Sequence, residues 1–362
     1  MGRVEARHTV QSSTAPYDVI IGEDILGEVA SFEAVKKADR RCVFVSKRVL
    51  SLHGDRIREA FPADSFDYLV MKDGEKQKSF SNVEPFLSKL LELGFTRHSI
   101  IIAIGGGVVG AFAGFLASVY MRGIKIVQLP TTLLSMVDSS IGGKTAVNIG
   151  AGKNIAGAFH PPCLVAADTS FLSTLPADQW REGLSEAIKH AIIGEKELYA
   201  LFKERTFDTI RSADVRARFV SLAAGFKVGV VSRDEMEMGE RAILNFGHTV
   251  AHAIESSMRY RISHGAAVGI GMKIIARLCV ITKRISEEDA RSILALVEAY
   301  GIAPKIKLPA AETLLRHMKY DKKNVSGSIR FVLLEGLFRP IYNVSAAAEE
   351  VCSAIRLSEG CD

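Results

Sequence analysis

The sequence is short of several features that fix a protein's class at sight. It has five cysteines in 362 residues, Cys42, Cys163, Cys279, Cys352 and Cys361, and none forms a CxxC pair. An odd, scattered set excludes a disulfide framework and reads as reduced thiols in a cytoplasmic chain. Aromatic residues make up only 7%, and the basic residues are scattered and not interleaved with them, which leaves no nucleic-acid footprint. The charge imbalance is small, a net +5, an excess that suits a small anionic substrate. There are no internal repeats and no low-complexity linker. The start, "MGRVEARHTV", is too polar for a signal peptide. The motifs GxxxxGK[ST] and HExxH are both missing.

One uncharged run is long enough to span a bilayer, "SIIIAIGGGVVGAFAGFLASVYM" at 99–121. Three features oppose that reading. Gly105, Gly106 and Gly107 interrupt a helix, the β-branched run before them suits a buried strand, and no second apolar span exists to pack with it. What remains is a globular composition, 48% hydrophobic and 24% charged, and a length that suggests two domains.

The first half alternates strand and helix. "YDVIIG", "RCVFVS", "DYLVMK", "SIIIAI" and "KIVQLP" read as strands. "EDILGEVASF", "KRVLSLHGDRIREAF" and "SNVEPFLSKLLELG" read as helices between them. Apolar strands alternating with helices predict a parallel sheet covered on both faces. From about Leu175 helical spacing takes over, in "ADQWREGLSEAIKHAII", "ADVRARFVSLAAGFKVGVVS", "ILNFGHTVAHAIESSM", "GAAVGIGMKIIARLCVIT" and "EEDARSILALVEAYG". "KKNVSGSIRFVLL" predicts a hairpin around Ser326-Gly327, with a short helix after it.

Several segments carry chemistry. "IAIGGGVVG" places three glycines between a buried strand and a helix start, where the backbone can approach a ligand and free N–H groups can meet a phosphate. Alone it is equally a tight turn. "DGEKQK", 73–78, follows a strand, at the strand end where α/β sheets bind ligands. "VDSSIGGKTAVNIGAGKN", 137–154, reads as a glycine-rich loop that can wrap an anion with N–H groups, Lys144 and Lys153. In "GLSEAIKHAII", Glu186, Lys189 and His190 share a helix face, which alone is ordinary amphipathicity. In "RAILNFGHTVAHAIE", read as one helix over 241–255, Arg241, Asn245, His248, His252 and Glu255 share a face. His264 stands before a further helix. Histidines and a carboxylate from different elements make a catalytic zinc set of three ligands with an open position. Spacing leaves open which pair of histidines binds, since His248 and His252 are four apart and could themselves pair.

Together these segments resemble the 3-dehydroquinate synthase family of cyclases. The resemblance runs over nearly the whole chain, through "GGGVVG", "YMRG", "PTTLL", "VDSSIGGKTAVN", "GKN", "EAIK", "LNFGHT", "HG" and "DKK". It implies an NAD-binding α/β domain with a parallel-type sheet, 1–174, and an all-helical metal- and substrate-binding domain, 175–362. Glu186, His248 and His264 match the metal ligands, zinc with cobalt as the alternative, and His252 falls on the substrate side. Asp73, Gly74, Glu75, Lys78, Gly106, Gly107, Val108, Thr131, Thr132, Lys144, Lys153, Phe171, Thr174 and Leu175 match NAD contacts. Asp138, Lys144, Asn154, Lys189, Lys227, Arg241 and Asn245 match the substrate pocket. Arg122 resembles a residue lent across a homodimer interface to the substrate phosphate, and Lys322 and Lys323 match a lysine pair, one of which closes the pocket.

The implied reaction is a step of the shikimate pathway to chorismate and the aromatic amino acids. 3-Deoxy-D-arabino-heptulosonate 7-phosphate becomes 3-dehydroquinate and phosphate by transient oxidation with NAD, phosphate elimination, re-reduction and intramolecular aldol closure. The implied enzyme is a cytoplasmic carbon–oxygen lyase whose partner is a small sugar-acid phosphate, with no nucleic acid and no membrane. Two positions depart from the family pattern. Ala111 stands where an aspartate commonly follows "GGGVVG", and Lys47 and Arg48 follow Ser46 where an acid commonly ends a strand. Both lie on the cofactor side and predict weaker NAD binding, with NADP tolerated but not preferred. The competing readings are a sibling cyclase acting on sedoheptulose 7-phosphate or an aminated analogue, a zinc polyol dehydrogenase, and a non-enzymatic binding protein. Lys227 and Arg241 favour a carboxylated substrate over an uncarboxylated one.

Overall fold

The computed structural model describes residues 2–150, 152–319 and 329–359. The chain forms two units, residues 1–176 with 216–236, and residues 177–215 with 237–362.

The first unit is built on a seven-stranded sheet. Its strands are β1 (Arg3–Val10), β2 (Tyr17–Glu23), β3 (Arg41–Ser46), β4 (Asp67–Met71), β5 (Ile100–Gly105), β6 (Lys125–Pro130) and, after a two-stranded ribbon of β7 (Lys144–Ile149) and β8 (Gly152–Phe159), β9 (Leu164–Asp168). The order is β1-β2-β9-β6-β5-β3-β4. All neighbours run parallel except β1, an antiparallel edge on β2. The helices α1 (Leu26–Ser31), α2 (Glu33–Lys36), α3 (Lys47–Ala60), α4 (Val83–Glu92) and α5 (Gly107–Val119) connect the strands. The uncharged run at 99–121 thus divides into a strand and a helix, and every residue of β5 is buried. Phe44, Phe86 and Phe112 close the core beside it with ring centroids 5.0 to 5.9 Å apart.

Strand order fixes where a ligand can sit. The chain leaves β3 for β4 on one side, then crosses back to β5 and proceeds to β6 on the other. The connections therefore reverse between β3 and β5, and the crevice outside their carboxyl ends is the topological switch point of an open α/β sheet. Ser46 and Gly105 are the last residues of those strands.

The second unit is helical: α6 (Ala177–Ile193), α7 (Lys196–Glu204), α9 (His248–Ser257), α10 (His264–Ile281), α11 (Glu287–Ala299), α12 (Ala311–Lys319) and α13 (Ala348–Glu359), with a two-stranded ribbon of β10 (Phe331–Leu334) and β11 (Pro340–Val344). Its central element is α10, which touches α6, α9, α11 and α13. By length and composition α10 could cross a membrane, but 67% of its apolar window is buried inside the protein, as in a core helix.

Three expectations are corrected. The glycine-rich segment at 137–154 is not a plain loop. It opens with a π-helical turn at Ser135–Ser139 and continues as the β7–β8 ribbon, whose Thr145 and Val147 are buried under α5. β1 and β9 were not expected; β1 alternates exposed and half-buried positions, and β9 is a short, fully buried apolar run. The helix α8 (Ala213–Arg233) comes from the helical half of the sequence, yet residues 216–236 group with the first unit. Side chains explain this: Arg216 pairs with Glu23, His8 bonds Ser221, and Ser232 accepts from the Gln11 N–H. The turn at Ser326-Gly327 lies outside the described residues, and the strand after it pairs forward with β11.

Asp168 joins three parts of the first unit. It is fully buried, accepts from the N–H groups of Asp24, Ile25 and Ser170, and pairs with Arg56 at 3.0 Å. Asp168→Ala leaves these N–H donors without their acceptor and takes from Arg56 one of its two carboxylates. We expect it to lower unfolding stability by about 3–5 kcal/mol, read as a shift of the denaturant midpoint.

Candidate functional site

Three helices of the second unit converge on one carboxylate. Glu186 lies inside α6 with its side chain 1% exposed. Lys189, one turn on, donates to its Oε2. Its Oε1 is buried without a hydrogen-bond partner. Around Oε1 stand Nε2 of His248, from the first residue of α9, and Nε2 of His264, from the first residue of α10, each at 3.5 Å. A tetrahedral ion with bonds of about 2.0–2.1 Å holds its ligand atoms about 3.3–3.4 Å apart. Both oxygen–nitrogen distances are close to that spacing, and all three ligand atoms lie within 4.8 Å of one another, so the set fits a small divalent cation.

The far sides of both rings are also held. Nδ1 of His264 lies 3.4 Å from Oε2 of Glu255, and Nδ1 of His248 lies 3.3 Å from the carbonyl of Phe246. Such outer partners turn the Nε2 lone pair toward an ion. The electrostatics agree. Burial works to raise the Glu186 carboxyl, but Lys189, His248 and His264 outweigh it and hold it well below the usual range. Burial holds His248 well below its ordinary value. His264 is opposed by burial yet raised to about 10 by the Glu186 and Glu255 carboxylates beside it. An ion at this set needs the ligand nitrogens free of protons, so its binding is coupled to proton release. His252 packs beside the pair, its ring 5.7 Å from His248 and 6.5 Å from His264, but is not one of the three convergent donors.

The expected single helix over 241–255 is corrected. Glu240–Asn245 is a 3-10 helix, and Gly247, at φ +81°, breaks the backbone before α9 begins. A Cβ at Gly247 would lie 3.0 Å from the backbone nitrogen of Met272 on α10, so close packing requires the glycine. Arg241 and Asn245 therefore do not share one helical face with the histidines. Arg241 is buried, 2% exposed, and Asn245 donates to Oε1 of Glu237 at 2.8 Å. Glu237 was missed by the sequence reading. It holds φ +58°, an uncommon value for a glutamate, beside a residue of the substrate set.

The first unit carries a second constellation. Gly106 and Gly107 open α5 at the end of β5, and no side chain caps this helix start. A Cβ at Gly107 would meet Ser139 Oγ at 2.9 Å, and one at Gly106 would meet Thr132 Cγ2 at 3.0 Å. Thr132, bonded to Ser135, and the buried Thr131 follow β6 beside that turn. A glycine cradle, an open helix N-terminus and the switch point coincide, which fits a dinucleotide pyrophosphate. Lys78 Nζ meets Glu75 at 3.1 Å and Asn154 at 2.7 Å, and Asn148 donates to Glu75, so the turn after β4 is tied to the β7–β8 ribbon that bears Lys144 and Lys153. His53 bonds Thr174, and Arg56 lies over the Phe171 ring. Asp138 pairs with Lys227 of α8. Asp73 Oδ2 accepts from the N–H of Arg48 at 3.1 Å, so an acid does stand beside the end of β3, supplied by the turn after the neighbouring strand β4. Lys322 and Lys323 lie outside the described residues.

The sequence matches the family models described as "3-dehydroquinate synthase N-terminal", over residues 68–182, and "3-dehydroquinate synthase C-terminal", over residues 183–324. It is 41% identical over 333 residues to a 3-dehydroquinate synthase of Koribacter versatilis, covering 90% of this chain and 91% of the relative. It is 40% identical over 320 residues to that of Leptospira interrogans, covering 88% of each. Among solved structures it is similar to 2-deoxy-scyllo-inosose synthase complexed with carbaglucose-6-phosphate, NAD+ and Co2+, with 28% identity, a TM-score of 0.85, and 97% and 99% of the two chains covered.

The geometry separates the histidines. His264→Ala is expected to abolish binding of one equivalent of zinc, because two remaining donors hold an ion poorly. His252→Ala is expected to keep it. Elemental analysis after gel filtration checks both.

Proposed function

The chain belongs to the 3-dehydroquinate synthase family, and from that premise we propose that it converts 3-deoxy-D-arabino-heptulosonate 7-phosphate to 3-dehydroquinate and inorganic phosphate. The observation that carries the reading is the convergence of Glu186 Oε1 with Nε2 of His248 and His264, beside Lys189. We assign these three as ligands of a divalent cation, zinc by choice of donors and cobalt as the alternative. Bound NAD supplies a reversible hydride acceptor, and the bound cation supplies Lewis-acid polarisation.

The remaining work falls to the chain's own residues. The Gly106–Gly107 turn and the α5 N-terminus receive the pyrophosphate, with Thr131 and Thr132 beside it. Glu75, Lys78 and Lys153 serve the rest of NAD, as do Phe171, Thr174 and Leu175. Asp73 favours NAD over NADP, since a carboxylate accepts from a ribose hydroxyl and repels a 2′-phosphate. That offsets in part the cations Lys47 and Arg48. Cofactor binding is the role of the domain ending near Thr174, and metal binding that of the domain after it. Substrate contacts are assigned to Asp138, Lys144, Asn154 and Lys227, and to Lys189, Arg241, Asn245 and His252. Lys322 and Lys323, outside the described residues, are assigned to the substrate set by resemblance alone.

Arg241 and Lys227 favour a carboxylated substrate over the uncarboxylated ones of sibling cyclases. An arginine stays charged when buried and grips a carboxylate with two N–H groups. The higher identity to 3-dehydroquinate synthases than to the inosose synthase supports the same choice. A polyol dehydrogenase would release NADH, whereas this reaction regenerates NAD in each turnover. The thiols of Cys42, Cys163, Cys279 and Cys352 suit a reducing cytoplasm.

Arg122 is assigned to the site of a partner subunit in a homodimer. Two successive non-glycine residues, Met121 and Arg122, hold φ +49° and +64°, strain that a functional turn sustains. Val119, Met121 and Phe159 are each 40% exposed or more in the same unit. Such apolar exposure suits a protein interface.

Purified enzyme given NAD, zinc and the heptulosonate phosphate is expected to release phosphate and form dehydroquinate without net NADH; steady NADH accumulation with no carbocycle would sink the reading. Arg241→Ala should weaken binding of the heptulosonate phosphate by about 2–5 kcal/mol, measured as KM and by calorimetry. Mixing Arg122→Ala subunits with His248→Ala subunits should recover activity, since one hybrid site then holds both residues. Heterodimers that stay inactive would return Arg122 to its own subunit.

A further inference from the structure

The two histidines at Glu186 are not equivalent. Nδ1 of His248 faces a neutral backbone carbonyl, that of Phe246, at 3.3 Å. Nδ1 of His264 faces a carboxylate, Oε2 of Glu255, at 3.4 Å. Glu255 is itself buried, 6% exposed, near the carboxyl end of α9. An ionised carboxylate only accepts, so its hydrogen bond with the imidazole needs a proton on Nδ1. A neutral ring with that proton on Nδ1 has its lone pair on Nε2, the atom 3.5 Å from Glu186 Oε1.

This arrangement is held from the other side too. Glu182, one turn before Glu186 on α6, accepts from the N–H of Gly265 at 2.9 Å. A Cβ at Gly265 would stand 2.7 Å from the Glu182 Cα, so the start of α10 lies directly on α6. The His264 backbone is therefore fixed while Glu255 orients its ring.

We propose that Glu255 is a positioning residue: by accepting the Nδ1–H of His264 it fixes that ring's tautomer and makes it the stronger nitrogen donor to the divalent cation. The inference rests on the assignment of Glu186, His248 and His264 as cation ligands. A charge one ring away from the ion adds attraction that a backbone carbonyl does not, and loss of such outer partners costs metal affinity roughly 10- to 100-fold.

The test uses full-length protein stripped of metal. Zinc affinity is measured by competition with a chromophoric chelator, the cobalt form by its visible spectrum, and the metal-free fold by thermal melting. Glu255→Gln keeps the size and an acceptor oxygen but removes the charge. It is expected to melt like the parent without metal, to bind zinc roughly 10- to 100-fold more weakly, and to shift the cobalt bands. If it does not fold, Glu255→Asp takes its place; the shorter carboxylate withdraws from Nδ1, and the same weakening is expected. Parent-like zinc affinity with an unchanged cobalt spectrum overturns the proposal. So does a loss of affinity matched by an equal loss of metal-free stability. Failure of the ligand assignment reads differently: the parent would bind no zinc equivalent, or His264→Ala would bind zinc as tightly as the parent.

Discussion

A carboxylate buried at the meeting of three helices is the constraint on which the second unit depends. An ionised group out of water is tolerated only where positive charge surrounds it. Lys189 neutralises one oxygen of Glu186 from the same helix, and the other oxygen needs a partner that no single helix can reach. The starts of α9 and α10 supply the histidines, so both helices must approach α6 and each other closely. The glycines record the cost. Gly271 of α10 would place a Cβ 2.2 Å from the carbonyl of Gly247, and Gly265 would collide with α6. Glycine inside a helix is about 1 kcal/mol less favourable than alanine, and here that stability is given up for approach.

The lysines of the proposed site follow a common rule. Lys78 stands with Glu75, Lys189 with Glu186 and Lys227 with Asp138. Lys78, Lys189 and Lys227 are nearly buried, at 1 to 7% exposure, and each is held by an acid. The pairs orient the cations before any anion arrives, which is the preorganisation an electrostatic catalyst needs. Asn148 and Asn154 extend the first pair into the β7–β8 ribbon, and so convert a glycine-rich segment into a positioned one.

The parallel sheet and the helical second half were legible because both patterns are long and strongly periodic. β5 is an unbroken β-branched run, and α6 runs over the residues expected, from Ala177 to Ile193. What was misread had conflicting signals. β7 alternates exposed and buried residues, the period of a strand, but the glycines that flank it suggested a loop. β1 alternates too, yet as an edge it is polar enough to pass for an unstructured lead. The 241–255 segment has helical spacing on both sides of Gly247, and only the three-dimensional contact with α10 shows why the glycine must break it. Glu237 had no pattern at all. Its significance comes from a left-handed backbone and a bond to Asn245, neither of which a sequence displays. The grouping of residues 216–236 with the sheet unit was likewise invisible, since it depends on partners some 200 positions away, such as His8 with Ser221.

Fold and metal set together still underdetermine the reaction, because one scaffold can host many chemistries. A glycine turn that fits a dinucleotide and three donors that fit a cation equip a site for reversible oxidation of any hydroxyl brought to them. The choice among substrates lies with residues that touch neither group. Arg241 brings a charge that cannot be shed, into a position only 2% exposed. In the proposed site a guanidinium so placed would meet a carboxylate with two N–H groups, a contact that a sugar phosphate without a carboxylate does not offer. On one scaffold, then, the cations around the site decide the substrate and the ligands within it decide the chemistry.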